Sequence, residues 1–557
     1  MEEGGKTGQG GGLATRWQGL IALVSSAALY TVSFPPFNLP EAAYVFAVPL
    51  LLWALFGRPF KHESKALFVA GWISWIILLS WLRNCTSSLD LPLKGVLGWS
   101  LTIALSGAMA VFWWAWGWLA LRMTRRSKRG SLLCRLMILI GMSALWVVME
   151  WIREFLFTGF PWLPLSASQW QRPLLMQIAS VTGAKGISFV LIAFNFGLSY
   201  YLYILWNNRK ASWLKRLSLE FYLALGFLFS AIGFGLQSSG AGRHGRIEGP
   251  RLGFVQPNTE VMAKWDPSRV RENLETLKDL TTYATYLGAD LVLWPEAPTP
   301  LPLKGNASMR QWVDDLAEEI QLPILAGNVA REGASDDPDR KWYNAVFAVD
   351  PVQGTQTGTY YQKRHLVPFG EYVPFSGILP FIKKFVPIEG TFHEGTSPVP
   401  LSLESKDYSF GRVGNLICYE DIFPALARQN VLAGANWHYV ATNNAWFGEE
   451  AGAWQHAAHS VLRAVETRRP VVRCGNAGWS GWIDEFGHVR HTVLDNTGSI
   501  YFQGVDAVQF SRSSYWSGRQ SLYVQFGDWF VALCGGMIAL AILTGRFSLT
   551  RFQAGGA

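Results

Sequence analysis

Two textures alternate along the chain. Apolar segments recur at about 17–34, 39–56, 66–82, 95–121, 132–152, 187–206 and 217–236, with an eighth at 529–545. Most approach the ~20 residues needed to cross the hydrocarbon core of a bilayer. The second and third are short, and Pro49 interrupts 39–56. From 251 onward, short apolar runs alternate with amphipathic stretches. Strands are expected at 251–256, 290–295, 322–329, 343–349, 357–362, 410–418, 438–443, 471–475 and 479–484. Helices are expected over 268–287, where Val270, Leu274, Leu277, Leu280, Tyr283 and Leu287 recur at three and four, and over 308–320 and 452–468. Strands alternating with helices predict an α/β sandwich with buried sheets.

Composition supports a membrane part joined to a soluble part. Of 557 residues, half are hydrophobic and 27 are Trp. The placement of charge matters more than the net +8. One set of connections holds Lys6, Arg16, Arg58, Lys61, Lys65, Arg122, Arg125, Arg126, Lys128, Arg129, Arg135, Arg209, Lys210, Lys215 and Arg216; the intervening set holds only Arg83, Lys94, Arg153, Arg172 and Lys185. The positive-inside rule then places the N-terminus in the cytoplasm and residues 237–521 on the opposite face. The expected organisation is a disordered cytoplasmic tail (1–16), seven spans (17–236), an outward α/β domain (237–521) entered through a linker at 237–251, and a last span with a cytoplasmic C-terminus (522–557). The outward loop 153–173, with Phe160, Pro161 and Trp162, reads as an interfacial aromatic segment. It is either a wall of a lipid-facing cleft or a plain anchoring belt.

Candidate chemistry sits at three strand ends. Asp290–Trp294 is followed by Pro295 and Glu296, Tyr360–Gln362 by Lys363, and Val413–Ile417 by Cys418. A thiol, a carboxylate and an ammonium suffice for acyl transfer. Cys418 attacks a carbonyl and forms a thioester. Glu296 moves the proton, and Lys363 stabilises the oxyanion. The helix-like segment after Cys418 is expected to favour the thiolate, and loss of Glu296 is expected to slow alkylation of Cys418. Each residue also has a plain reading: a buried core cysteine, a turn carboxylate and a surface lysine. The five cysteines are scattered and match neither a disulfide framework nor a zinc site. His456 and His459 lack a third ligand at a sensible spacing, and packing or hydrogen bonding is expected of them. The stretch Gly478-Trp-Ser480-Gly-Trp lacks the second glycine of a serine-hydrolase elbow. No phosphate-binding glycine loop occurs, and nothing points to nucleic acid.

Trp-Pro-Glu296, Lys363-Arg-His-Leu-Val-Pro-Phe-Gly-Glu371, Cys418-Tyr419-Glu420 and Asn443-Asn-Ala-Trp446-Phe-Gly, together with Thr158-Gly-Phe-Pro-Trp162-Leu, resemble the membrane-bound branch of the nitrilase superfamily, the apolipoprotein N-acyltransferases. The resemblance runs over nearly the whole chain. It implies a polytopic α-helical membrane domain of about eight spans and an extracytoplasmic nitrilase-like αββα sandwich, in a bacterial inner membrane with the catalytic domain facing the periplasm. It implies that Glu296 is the general base, Lys363 the oxyanion support and Cys418 the nucleophile. Glu371, Tyr419, Glu420 and Asn344 match supporting active-site positions, and Trp265, Trp162 and Trp446 stand on the substrate side. The implied partners are a phospholipid acyl donor, a diacylated apolipoprotein acceptor and the bilayer. No cofactor, metal or nucleic acid is implied, and a monomer is expected.

This chain departs from the expected pattern at Asn443-Asn444, where Asn-Asp is expected, and at Cys474-Gly-Asn-Ala477. Two other readings stay open at this point. One is a membrane-tethered amidase of the same fold. The other is a catalytically silent lipoprotein-binding membrane module.

Overall fold

The computed structural model describes residues 9–87, 93–128, 130–241, 245–262, 266–334, 336–374, 392–404 and 409–554. The apolar first half forms helices α1 (Gln9–Val32), α2 (Val48–Phe56), α3 (Glu63–Leu78), α4 (Lys94–Ser127), α5 (Leu132–Ile152), α6 (Lys185–Asn207) and α7 (Leu219–Ala241). Among the described residues, α4, α5, α6 and α7 are long and apolar enough to cross a membrane. A fifth span results if α3 and the 3-10 turn Ser80–Thr86, bent by 54° to each other, act as one. The segment expected over 39–56 is divided. A 3-10 turn occupies Pro40–Tyr44, and only nine residues of α2 are α-helical, about 14 Å at 1.5 Å per residue. Helix α1 starts at Gln9, inside the stretch expected to be a disordered tail. Helix α7 ends at Ala241 and the next strand opens at Arg246, so the expected linker is far shorter than 237–251.

The second half forms two sheets. The strands are β1 (Arg246–Gln256), β2 (Leu291–Trp294), β3 (Ile324–Glu332), β4 (Lys341–Asp350), β5 (Gly354–Thr355), β6 (Tyr361–Gln362), β7 (Leu401–Glu404), β8 (Ser409–Ile417), β9 (Trp437–Thr442), β10 (Val471–Gly475), β11 (Gly481–Ile483), β12 (Val489–Thr492) and β13 (Gly504–Ser513). The first sheet runs β13-β1-β2-β3-β4-β5, with β6 also paired to β4; the second runs β12-β11-β10-β9-β8-β7. Strand alternation divides their side chains. Leu291 and Leu293 of β2 face the second sheet, in a core with Val413, Ile417 and Tyr439. Val292 and Trp294 face the opposite way, against Leu277 of helix α8 (Val270–Tyr286) and Met309, Val313 and Leu316 of helix α9 (Ala307–Ile320).

The outer face of the second sheet carries helices α10 (Pro424–Leu432) and α11 (Gly452–Thr467). Residues Ala453, Ala457, Val461 and Val465 of α11 belong to one continuous apolar core with Trp81, Trp162, Met176 and Ile187 of the membrane half. Helix α11 is therefore buried on nearly every side. The final helix, α12 (Trp529–Ala554), packs beside α5.

Candidate active site

The three sequence-chosen residues come from both sheets. Glu296 follows β2, Lys363 follows β6, and Cys418 follows β8. Asn344, in the middle of β4, joins two of them. Its Nδ2 donates to Glu296 Oε1 at 2.7 Å and to Glu371 Oε1 at 2.9 Å. The Lys363 ammonium lies 3.5 Å from Glu296 Oε1 and 2.9 Å from Glu371 Oε2, and its own backbone N–H donates to Asn344 O at 2.8 Å. Glu371 Oε2 also accepts from Val367 N at 2.8 Å. One cation and two carboxylates thus share a small site in which Lys363 is 1% exposed. Burial by itself would lower the Lys363 pKa, but the charges of Glu371 and Glu296 outweigh it and hold the ammonium above the ordinary lysine range.

Cys418 takes a left-handed backbone conformation, φ 50°, at the sharp turn from β8 into the 3-10 turn Cys418–Ile422. A non-glycine residue holds such a conformation only where its surroundings enforce it. Burial pushes the thiol up to about 12, the Glu296 charge adds to the rise, and Lys363 together with the Thr442 hydroxyl and the Asn443 backbone opposes it. The resting group is therefore a thiol. This corrects the expectation of a thiolate favoured by a helix start. The turn after Cys418 is short, α10 begins only at Pro424, and burial outweighs any dipole there.

Glu420 ties the two sheets together at the site. Its Oε2 accepts from Ile417 N at 2.7 Å and from Tyr361 Oη at 2.8 Å; its Oε1 accepts from Arg364 N at 2.7 Å and His365 N at 3.1 Å. The carboxylate thereby pins the segment carrying Lys363 to the strand carrying Cys418. Tyr419 Oη reaches across to the membrane half and donates to Gly159 O at 2.9 Å, and His365 Nε2 lies 3.1 Å from Thr158 O.

The aromatic residues divide. Trp446 is half-buried in the turn Asn444–Phe447 after β9. Trp162 is fully buried: its ring lies 4.9 Å from that of Trp81, and its Nε1 donates to Gln455 Oε1 at 2.8 Å. It packs the joint between the halves and lines no open cleft. Trp265 lies outside the described residues. Cys474 points into the sandwich, where its thiol donates to Val255 O and Leu293 O, and Cys418 and Cys474 are both free.

Sequence reasoning gave no role to Thr442 or Asn443 beside the thiol, although Asn443 opens one of the quoted motifs, nor to Gln455, Asp421 and Arg473 behind it. The first pair was accessible by the rule that found Glu296, because polar residues close the apolar strand Tyr439–Ala441. Of the others, Gln455 is buried by the membrane half, and Asp421 and Arg473 meet only through the fold, one in the turn after Cys418 and one on β10.

Comparison with known proteins follows the same division. Residues 26–197 match the family model for the apolipoprotein N-acyltransferase N-terminal domain, and residues 251–522 match the model for carbon-nitrogen hydrolases. The chain is 31% identical to the apolipoprotein N-acyltransferase of Geobacter metallireducens over 533 residues, 95% of this chain and 96% of the relative. It is 32% identical to that of Allorhizobium ampelinum, with 90% of this chain and 92% of the relative covered. Among solved structures it is similar to a nitrilase-superfamily amidase of Nesterenkonia, at 17% identity and TM-score 0.35, covering 50% of this chain and 94% of that one. The two family models thus join a carbon-nitrogen hydrolase α/β domain to an apolar helical domain, and relatives align along almost the full length. The chain belongs to the apolipoprotein N-acyltransferase family.

Proposed function

We propose that the protein transfers an acyl chain from a membrane phospholipid to the α-amine of the S-diacylglyceryl cysteine that begins an apolipoprotein. Glu296 takes the Cys418 proton as the sulfur attacks the ester carbonyl carbon. Lys363 faces the oxyanion that forms. Collapse expels the lysophospholipid alkoxide, which takes the proton back from Glu296, and leaves a thioester on Cys418. The lipoprotein amine then attacks that thioester. Glu296 takes the amine proton and returns it to the departing thiolate, and an amide remains. Glu371 and Asn344 hold Glu296 and Lys363, and Glu420 holds the Cys418 turn. Tyr419 seats the turn on the membrane half, Trp446 stands on the substrate side, and the family resemblance assigns Trp265 to substrate.

The observation that carries this reading is the meeting of Glu296, Lys363 and Cys418 beside Tyr419, whose hydroxyl binds the membrane-half loop at Gly159. A thiol in that position serves a donor held in the bilayer. Loop charge orients the domain 237–521 outward, toward the periplasm of a bacterium with an inner membrane. The protein acts as a monomer with eight spans and without a cofactor.

The test is the intact mass of the purified protein after incubation with phospholipid, beside Cys418→Ser. A gain of one acyl chain that hydroxylamine removes, absent in the variant, is expected. No adduct and no lysophospholipid would overturn the proposal.

A further inference from the structure

The two histidines set apart in the sequence have no part in the acyl-transfer scheme, yet His456 lies directly behind the nucleophile. Its ring is fully buried on α11, with the ring of Trp162 at 5.6 Å and that of Phe447 at 6.0 Å. Nε2 lies 3.1 Å from the backbone carbonyl oxygen of Cys418 and 2.7 Å from Asp421 Oδ1. Both are acceptors, so Nε2 carries a hydrogen. The N–H aims at the Cys418 carbonyl, and the Asp421 oxygen is nearer but outside hydrogen-bond geometry.

The other nitrogen decides the charge of the ring. Nδ1 faces the side-chain amide of Asn444, with Nδ2 at 3.1 Å. Asn444 is fully buried, and an amide can donate to an unprotonated nitrogen. Asp421 is already paired with Arg473 and accepts from Ser460. A second cation on His456 would stand beside Arg473, with Arg463 and His459 also close. Burial and Arg473 keep the ring below the ordinary histidine range, against the pull of Asp421. An aspartate in place of Asn444 offers only acceptors, and would place a second proton on the ring.

We propose that His456, held by Asn444 as the neutral Nε2–H tautomer, is a positioning residue that fixes the left-handed turn of Cys418 by binding its carbonyl. The inference rests on Cys418 being the nucleophile. A φ of 50° at Cys418 needs external enforcement, and its two neighbours in the chain are already engaged: Ile417 N by Glu420, and the Tyr419 hydroxyl by Gly159. The His456 bond adds a side-chain contact to the Cys418 carbonyl, from outside the 3-10 turn that this residue opens.

The experiment compares His456→Leu, His456→Gln and Asn444→Asp in the full-length protein. It measures the rate of Cys418 alkylation by iodoacetamide, and kcat and KM for thioester formation. Glutamine keeps a donor at the position of Nε2; leucine does not. The leucine variant is expected to lose about a hundredfold in kcat with KM little changed, and glutamine is expected to recover most of that loss. Equal impairment in both variants, or wild-type rates in leucine, would overturn the proposal.

Nitrogen-15 NMR of histidine-labelled wild type, with His456→Gln as the assignment control, reads the ring without relying on a leucine core. An unprotonated Nδ1 beside Nε2–H is expected, and both nitrogens protonated in Asn444→Asp. An Nδ1–H tautomer or an imidazolium in the wild type would refute it. Alkylation needs no lipid. A loss in leucine recovered in glutamine, alongside no thioester in the wild type, would uphold this inference while overturning the phospholipid reading.

Discussion

The indole N–H of Trp162, in the membrane half, donates to Gln455 Oε1 of helix α11 at 2.8 Å. The same oxygen accepts from Trp81 Nε1 at 2.9 Å, and Gln455 Nε2 donates to Pro35 O and Leu78 O at 3.0 Å each. Every hydrogen-bonding position of one buried amide is thus spent on the joint between the halves. Gln455→Leu leaves four buried groups without partners, at about 1–3 kcal/mol for each that stays dry. A marked fall in melting temperature in detergent is expected. A melting temperature equal to that of the wild type would show the joint to be held elsewhere.

The pH dependence of Cys418 follows from its raised pKa. With the thiol pushed up to about 12, the thiolate fraction grows with pH throughout the accessible range. The alkylation rate is expected to rise about tenfold per pH unit between about 7 and 10. A plateau near about 8.5, where a free cysteine levels off, would contradict the burial of the group.

Glu296→Gln has a sign opposite to the sequence-based expectation. The Glu296 charge raises the thiol pKa, so its removal lowers it. Alkylation of Cys418 is expected to quicken, not slow. Acyl transfer is expected to fall by at least about a hundredfold, because no group then moves the proton. Slower alkylation in this variant would overturn the electrostatic account.

Lys363 compensates two carboxylates at once, 3.5 Å from Glu296 and 2.9 Å from Glu371. Lys363→Met strands both, and breaking such a buried set costs on the order of 3–5 kcal/mol. Adding Glu371→Gln is expected to recover much of the stability and none of the activity. Parallel recovery of both would mean that Lys363 serves the fold alone.

Glu420 accepts four hydrogen bonds, from Ile417, Tyr361, Arg364 and His365. Glu420→Gln turns an amide NH2 toward two of these donors, and thioester formation is expected to drop at least tenfold. Tyr361→Phe removes one bond of the four and is expected to cost about 1 kcal/mol of stability. Equal effects of the two variants would deny the carboxylate its role as a tie.

The sequence by itself determined the two textures and the α/β class of the second half, and it singled out Glu296, Lys363 and Cys418 as the proposed reactive set. Hydrophobic period and the polar residue that closes an apolar strand are local properties, readable within a few positions. β13 escaped because its residues are half-buried and its pattern is mixed, and the expected strand at 357–362 shrank to Tyr361–Gln362. The tertiary structure alone decided the protonation of Cys418, because burial and the neighbouring carboxylate come from segments far apart in the chain. It likewise decided that Trp162 packs a joint and lines no cleft, and that α11 is buried on both faces. Whether a polar or aromatic side chain meets water, lipid or a partner depends on what packs over it. In this protein the membrane half packs over the catalytic half.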